Sequence, residues 1–258
     1  MSDTLLRALV ALPFGLVLGS FMTVVVARMP ARESVVAPRS RCPRCKSEIR
    51  DRDNIPVISW FLLRGKCRNC GLKISAEYPL TEAATAALFV GAAIVYPSVW
   101  VDALVGLLLV TMPAVALMDI RHRIIPNRLT YPSLIFFPAL VVAAWLFNAP
   151  VDPLRALEGS AIYGGGLFVL AVLSRGMGMG DVKLAGVIGV ALGALGLRYV
   201  GVAAGAAILF GGVMGIVALA MGRDRKSAIP FGPSMAAGAV VAAFWGDRLA
   251  ESYLKVYH

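Results

Sequence analysis

The sequence predicts an all-α polytopic membrane protein with about eight transmembrane helices. Three observations carry that prediction. Hydrophobic residues make up 59% of the 258, and the mean hydropathy is +0.77, more than a domain surrounded by water requires. Apolar runs near bilayer-spanning length recur along the whole chain. Charged residues are only 16%, and they gather in the segments between those runs.

The first expected span covers residues 5–26. Arg7 is the only basic residue ahead of most of that run, and Arg28 and Pro30 follow it in place of a small-residue cleavage site. It therefore reads as a retained helix, not a removed signal. A polar stretch occupies 28–78. Further spans are expected over 80–95, 101–118, 129–146, 157–173, 182–197, 200–221 and 229–245. The chain thus divides into a first helix (1–27), a polar loop domain (28–78) and a membrane domain (79–258). Gly164, Gly165 and Gly166 stand together in one span, where small residues let helices approach closely.

The net charge of +10 admits two readings, a nucleic-acid binder or a membrane protein obeying the positive-inside rule. Placement decides for the second, with no nucleic-acid partner. The 28–78 loop holds 12 Lys and Arg. If it faces the cytoplasm, alternating spans put 20 of the chain's 25 cations on that side. Arg7, Arg155, Arg198, Arg248 and Lys255 remain outside, together with both termini.

All four cysteines lie in this loop as C-x2-C, 21 residues, C-x2-C: Cys42, Cys45, Cys67 and Cys70. Two thiolate pairs on turns can converge on a tetrahedral zinc ion in a ribbon-like domain. Disulfides are the alternative, disfavoured in a reducing compartment, as is a redox C-x-x-C role. Four cysteines leave no open coordination position, so the metal is expected to be structural.

Charged groups near a bilayer are functional candidates, but most acids here have simpler placements. Glu33, Glu48, Asp51, Asp53 and Glu77 belong to the polar loop, and Asp224 to a charge cluster with Arg223, Arg225 and Lys226. Asp102, Asp152, Glu158, Asp247 and Glu251 fall near outer span ends. Glu82 opens a span and could complement a helix N-terminus. Asp119, in "ALMDIRHRIIPNRLTYP", and Asp181, in "GMGMGDVKLAG", remain. The charge count places both at the cytoplasmic face, on separate helices. Two carboxylates in contact cannot both ionise cheaply and so share a proton. Such a pair can activate water and protonate a peptide carbonyl, as in aspartic proteases. Gly176, Gly178 and Gly180 would permit positive φ and remove side-chain bulk, so that a substrate backbone could approach Asp181 closely; a loose turn with Asp181 as a helix cap is the alternative. Gly178, Gly180 and Lys183 form the expected substrate-proximal loop. Lys183 could pair with Asp181 or anchor its helix end. His122 is read as a headgroup contact.

"GMGDVKLAG" resembles the GxGD motif of type IV prepilin peptidases, a family of membrane aspartic proteases. "LGSFMTVVVARMP", the four-cysteine segment, "DIRHRIIPNRLTYP" and "AIPFGPSMAAG" are similar to that family too, in the family's order and over nearly the whole chain. The resemblance implies that Asp119 and Asp181 are the catalytic aspartates and that Cys42, Cys45, Cys67 and Cys70 are the family's cysteine loop. It implies removal of basic leaders from prepilins or pseudopilins, after a glycine, at the cytoplasmic side of the prokaryotic inner membrane. It also implies, in many members, methylation of the new N-terminus with S-adenosylmethionine. That cofactor rests on the resemblance alone; no glycine-rich strand–helix cofactor motif is visible, and its binding residues are unassigned. The first motif departs from the family's GSF-x-N-V: Thr23 stands at the Asn position. A peptidase without methyl transfer is therefore the alternative. For a basic leader, Glu33, Glu48, Asp51 and Asp53 are the candidate partners within the basic loop.

A proton-coupled transporter would place its acids near the midplane and repeat its halves; neither pattern is visible. A non-catalytic zinc-ribbon assembly protein would need its cysteines but not its aspartates.

Overall fold

A computed structural model describes residues 2–174, 177–222 and 230–256. The expected spans appear as α1 (Asp3–Arg28), α3 (Glu77–Val95), α4 (Val99–His122), α5 (Asn127–Leu146), α6 (Pro153–Ser174), α7 (Met179–Gly193), α8 (Leu197–Ala220) and α9 (Gly232–Val256). Between α1 and α3 lie a 3-10 turn, Asp51–Asp53, and a short helix, α2 (Ile58–Leu62). Where lipid replaces water, the helix is the way for a lone segment to satisfy its backbone polar groups. Long apolar segments bounded by polar loops therefore fold as helices whatever their propensities.

Among the described residues, six of these helices are long and apolar enough to cross a membrane: α1, α3, α4, α5, α6 and α8. The other two expected spans differ from their expected extents. Helix α7 has 15 residues, about 22 Å of rise and less than the hydrocarbon thickness. Eleven of its residues, from Val182 to Gly193, are buried. It is an internal strut enclosed by other helices, so it need not match the bilayer. Helix α9 runs past the expected end at 245 and carries Asp247, Arg248, Glu251 and Lys255 in its C-terminal half. The start expected at 229, and the 223–226 charge cluster, lie outside the described residues.

Helices α4 and α7 form the centre. Leu104, Leu108, Leu109, Met112, Val115, Ile188 and Leu192 are all fully buried in one cluster. The outer helices turn apolar side chains outward, as Ile208, Leu209, Val213 and Ile216 of α8 do. Such a surface suits lipid, not water.

Close approach between helices rests on small residues. Gly159 and Gly164 of α6 lie against Gly189, Gly193 and Gly186 of α7, and a Cβ on Gly159, Gly164, Gly189 or Gly193 would strike backbone. Of the three consecutive glycines, only Gly164 has this role. Gly165 and Gly166 have nothing within 4 Å of a built Cβ. On the other side, Gly15 and Gly19 of α1 press against Ala86 and Glu82 of α3.

Candidate active site

Asp119 sits in the last turn of α4. Arg123 then adopts a left-handed conformation (φ 53°), which ends the helix and turns the chain toward α5. Within that turn Ile125 is buried against Gly180 of α7. A Cβ on Gly180 would lie 3.0 Å from Ile125 Cβ and 3.2 Å from its carbonyl oxygen. The missing side chain thus lets the start of α7 close onto the end of α4. Asp181, one residue later, enters the electrostatic field of Asp119. The two carboxylates singled out in the sequence thus stand at the same end of the molecule, on the contacting helices α4 and α7.

The surroundings suit a pair holding one negative charge. Asp119 is buried, and its Oδ2 accepts the N–H of Gly232, the first residue of α9, at 2.7 Å. Asp181 lies in the first turn of α7. Two helix N-termini, each rich in unpaired N–H groups, thus face the pair. Tyr163 of α6 is buried within reach of Asp181's charge, and its hydroxyl has no partner among the described residues.

Of the two properties expected of the glycines, the described ones use lack of bulk and not positive φ. Gly178 caps α7 at φ −72°, and Gly180 is helical; neither uses positive φ. Their value is lack of bulk, at Gly180 against Ile125. Gly176 lies outside the described residues. Lys183 does not pair with Asp181. Its Nζ bonds Asn127 Oδ1 at 2.6 Å and sits 4.5 Å from the centre of the Tyr131 ring, which ties α7 to α5.

The cysteine loop folds as two antiparallel hairpins, closed at the Arg41–Glu48 and Lys66–Lys73 bridges. All four sulfur atoms lie within 4.8 Å of one another, with Cys42–Cys70 at 3.7 Å and Cys45–Cys67 at 4.0 Å. The edge of a tetrahedral thiolate site is about 3.8 Å for metal–sulfur bonds of about 2.3 Å. The cluster therefore fits a metal ion. Ser47 beside Cys45 brings its thiol down to about 6. Cys67 is also lowered, by the backbone N–H groups of Cys70 and Asn69. The Leu72 N–H favours the Cys70 thiolate too, but burial and three neighbouring sulfurs outweigh it and push Cys70 up to about 11. Thiolate charge accumulates here until it repels itself, which a dication relieves. Arg68, between Cys67 and Cys70, clamps Asp53 through two contacts of 2.6 and 2.8 Å. That guanidinium holds the Asp53 carboxyl below its usual range.

Profile comparison matches residues 13–96 to the bacterial peptidase A24 N-terminal domain and residues 104–221 to the type IV leader peptidase family. The prepilin leader peptidase/N-methyltransferase of Bacillus subtilis is 37% identical over 256 residues, covering 94% of this chain and 96% of that protein. The chain belongs to the type IV leader peptidase family. Another relative, the prepilin leader peptidase/N-methyltransferase of Stutzerimonas stutzeri, is 34% identical over 98% of this chain and 96% of its own. The type 4 prepilin-like proteins leader peptide-processing enzyme of Escherichia coli is 32% identical over 89% and 91%. No solved structure matches the chain.

In this leader peptidase family member, two residues have roles that no local pattern announces. Gly232 lies in the quoted "AIPFGPSMAAG" segment, but nothing near it in sequence ties it to Asp119. Glu82, expected as a helix-terminal acid, is instead the sixth residue of α3, 8% exposed, accepting the Val57 N–H at 2.6 Å. The suggested partners of a basic leader are mostly engaged already: Asp51 with Arg39, Glu48 with Arg41 and Asp53 with Arg68.

Proposed function

We propose that this protein is a membrane aspartic endopeptidase that removes the leader of type IV prepilins or pseudopilins and then methylates the new N-terminus. The observation that carries the reading is the placement of Asp119 and Asp181 at the ends of the contacting helices α4 and α7, in a chain of this family. The substrate's apolar helix stays in lipid and its charged leader in the cytoplasm, so the scissile bond lies at the inner face of the prokaryotic inner membrane. A glycine before that bond leaves room beside the pair.

The pair holds one proton between two carboxyl groups. The ionised member takes a proton from water as the water oxygen bonds to the scissile carbonyl carbon. The protonated member gives its proton to the carbonyl oxygen. On collapse, one hydroxyl of the gem-diol gives its proton to the carboxylate that donated one, the carbonyl re-forms, the C–N bond breaks and the leaving nitrogen takes a proton from the carboxyl that gained one. Gly232 and the α7 N-terminus hold the two carboxyls in place.

Zinc fits the cysteine cluster. Cys42, Cys45, Cys67 and Cys70 would hold it, and it would supply cross-linking of two hairpins with little core of their own. Elemental analysis of the purified protein is expected to find about one zinc per chain, and less in Cys42→Ser. Limited proteolysis should then open the 28–78 loop. A metal-free wild-type protein overturns the assignment.

The function is tested by incubating the protein with a prepilin in detergent and weighing the product. The expected mass is that of a chain starting after the glycine, with one methyl group added. Cleavage without the methyl group keeps the peptidase and removes the transferase. An uncut prepilin removes both.

A further inference from the structure

Helix α2 presents the wrong face to water. Its inward face is held by polar bonds. The Val57 N–H, just ahead of the helix, donates to Glu82 Oε2 at 2.6 Å, and Trp60 Nε1 donates to Ile74 O at 3.1 Å. The Ser59 hydroxyl donates to Arg52 O at 3.0 Å. Val57, Ser59, Trp60 and Leu63 also line a cavity of about 330 Å³ that Glu82 lines as well. The outward face is apolar. Ile58, Phe61 and Leu62, spaced i, i+3 and i+4, share one side of the helix. They are 51%, 66% and 73% exposed, and none of them lines the cavity. A rigidly held apolar patch on a polar loop marks an interaction surface.

The bond to Glu82 fixes where the patch sits. Glu82 is the sixth residue of α3, so the start of α2 lies within about 8 Å of that helix's end along its axis. Helix α3 is among those long and apolar enough to cross a membrane. An amphipathic helix at an interface buries its apolar face about 5–10 Å into the boundary of headgroups and acyl chains. The start of α2 is therefore at the depth of that boundary. Leu80, in the first turn of α3, is exposed there too. The charges agree. Arg52 precedes α2 and Arg64 and Lys66 follow it; all three are exposed, and none forms an ion pair among the described residues. Cations beside an apolar face match lipid phosphates above acyl chains. They would repel a basic leader, and in a symmetric pair of copies they would be set against themselves. We propose that α2 is an interfacial anchor. Ile58, Phe61 and Leu62 enter the acyl region of the leaflet beside the cysteine loop, while Arg52, Arg64 and Lys66 hold headgroup phosphates. The anchor lies within the 21 residues that separate the two cysteine pairs, directly ahead of the second hairpin. It therefore fixes the four-cysteine loop against the membrane at the entry to α3.

The test replaces Phe61 by trifluoromethyl-phenylalanine in the full-length protein, in phosphatidylcholine nanodiscs, and reads the fluorine resonance. A nitroxide on the upper acyl chain of the lipid is expected to broaden that line strongly, and a water-soluble gadolinium chelate weakly. Adding Ile58→Asp and Leu62→Asp charges the apolar face and should reverse the order, with melting temperature nearly unchanged because both side chains point out of the fold. Strong broadening by the chelate and weak broadening by the nitroxide, in the chain carrying the label alone, overturns the anchor. Weak broadening by both means that protein covers the patch, which overturns the lipid assignment; light scattering then tells whether the cover is a second copy. Broadening by the chelate that disappears when a prepilin is added also overturns it, and gives the patch to the substrate. An order that survives the two aspartates overturns the part given to Ile58 and Leu62.

Discussion

Asp119→Asn and Asp181→Asn should each lower the rate of leader cleavage at least about a thousandfold, with melting temperature nearly unchanged. Asparagine keeps the shape of each side chain but can neither take a proton from water nor deliver one to a carbonyl. Because the proton belongs to the pair, removing either member disables the same step. The double variant is then expected to be no worse than the worse single one. In Asp119→Asn the Gly232 N–H can still bond the side-chain amide oxygen, so the α4–α9 contact survives and the loss is chemical. Single-turnover cleavage of a prepilin, read beside thermal unfolding, checks this. A single variant within about tenfold of wild type excludes that carboxylate from the mechanism.

Gly232→Ala is the second large effect, at a residue that would touch no substrate. The added methyl would lie 2.8 Å from Asp119 Oδ2 and 2.9 Å from Asp119 Cβ, closer than real contacts permit. Either α9 retreats or the carboxylate turns away from Asp181. The N–H bond of 2.7 Å is strained or lost in both cases. A displacement of this size costs about a hundredfold in a reaction that depends on alignment. The loss should fall on kcat with KM little changed, since the leader and the apolar helix bind elsewhere. Gly166→Ala is the matched control: it lies in α6, where a Cβ meets nothing within 4 Å, and alanine favours helix. Equal losses in the two variants would mean that close packing at Gly232 has no special part in holding Asp119.

The helical architecture was legible because the membrane imposes it. Apolar runs between charged loops become helices, and each of the eight expected segments did. The cysteine cluster was legible because two C-x2-C turns at this spacing can converge on one tetrahedral ion, and their sulfurs do converge. Which helices face lipid and which face protein was less legible. Residues 182–197 are apolar enough to look like a span, and hydropathy does not distinguish lipid from protein as the apolar neighbour. Helix α7 is surrounded by protein and stops after 15 residues.

Sequence alone determined the membrane class, four cysteines spaced to converge and two acids at the ends of separate apolar segments, because each follows from residue type and local spacing. Only the tertiary structure decided how those acids meet. Ile125 fits under Gly180, Gly232 reaches back to Asp119 from the start of α9, and Lys183 turns to Asn127 instead of Asp181. It also converted Glu82 from a helix-end acid into the buried wall of a cavity. Each of these depends on segments far apart in the chain arriving at van der Waals distance, and no local pattern of charge or hydropathy encodes such an approach.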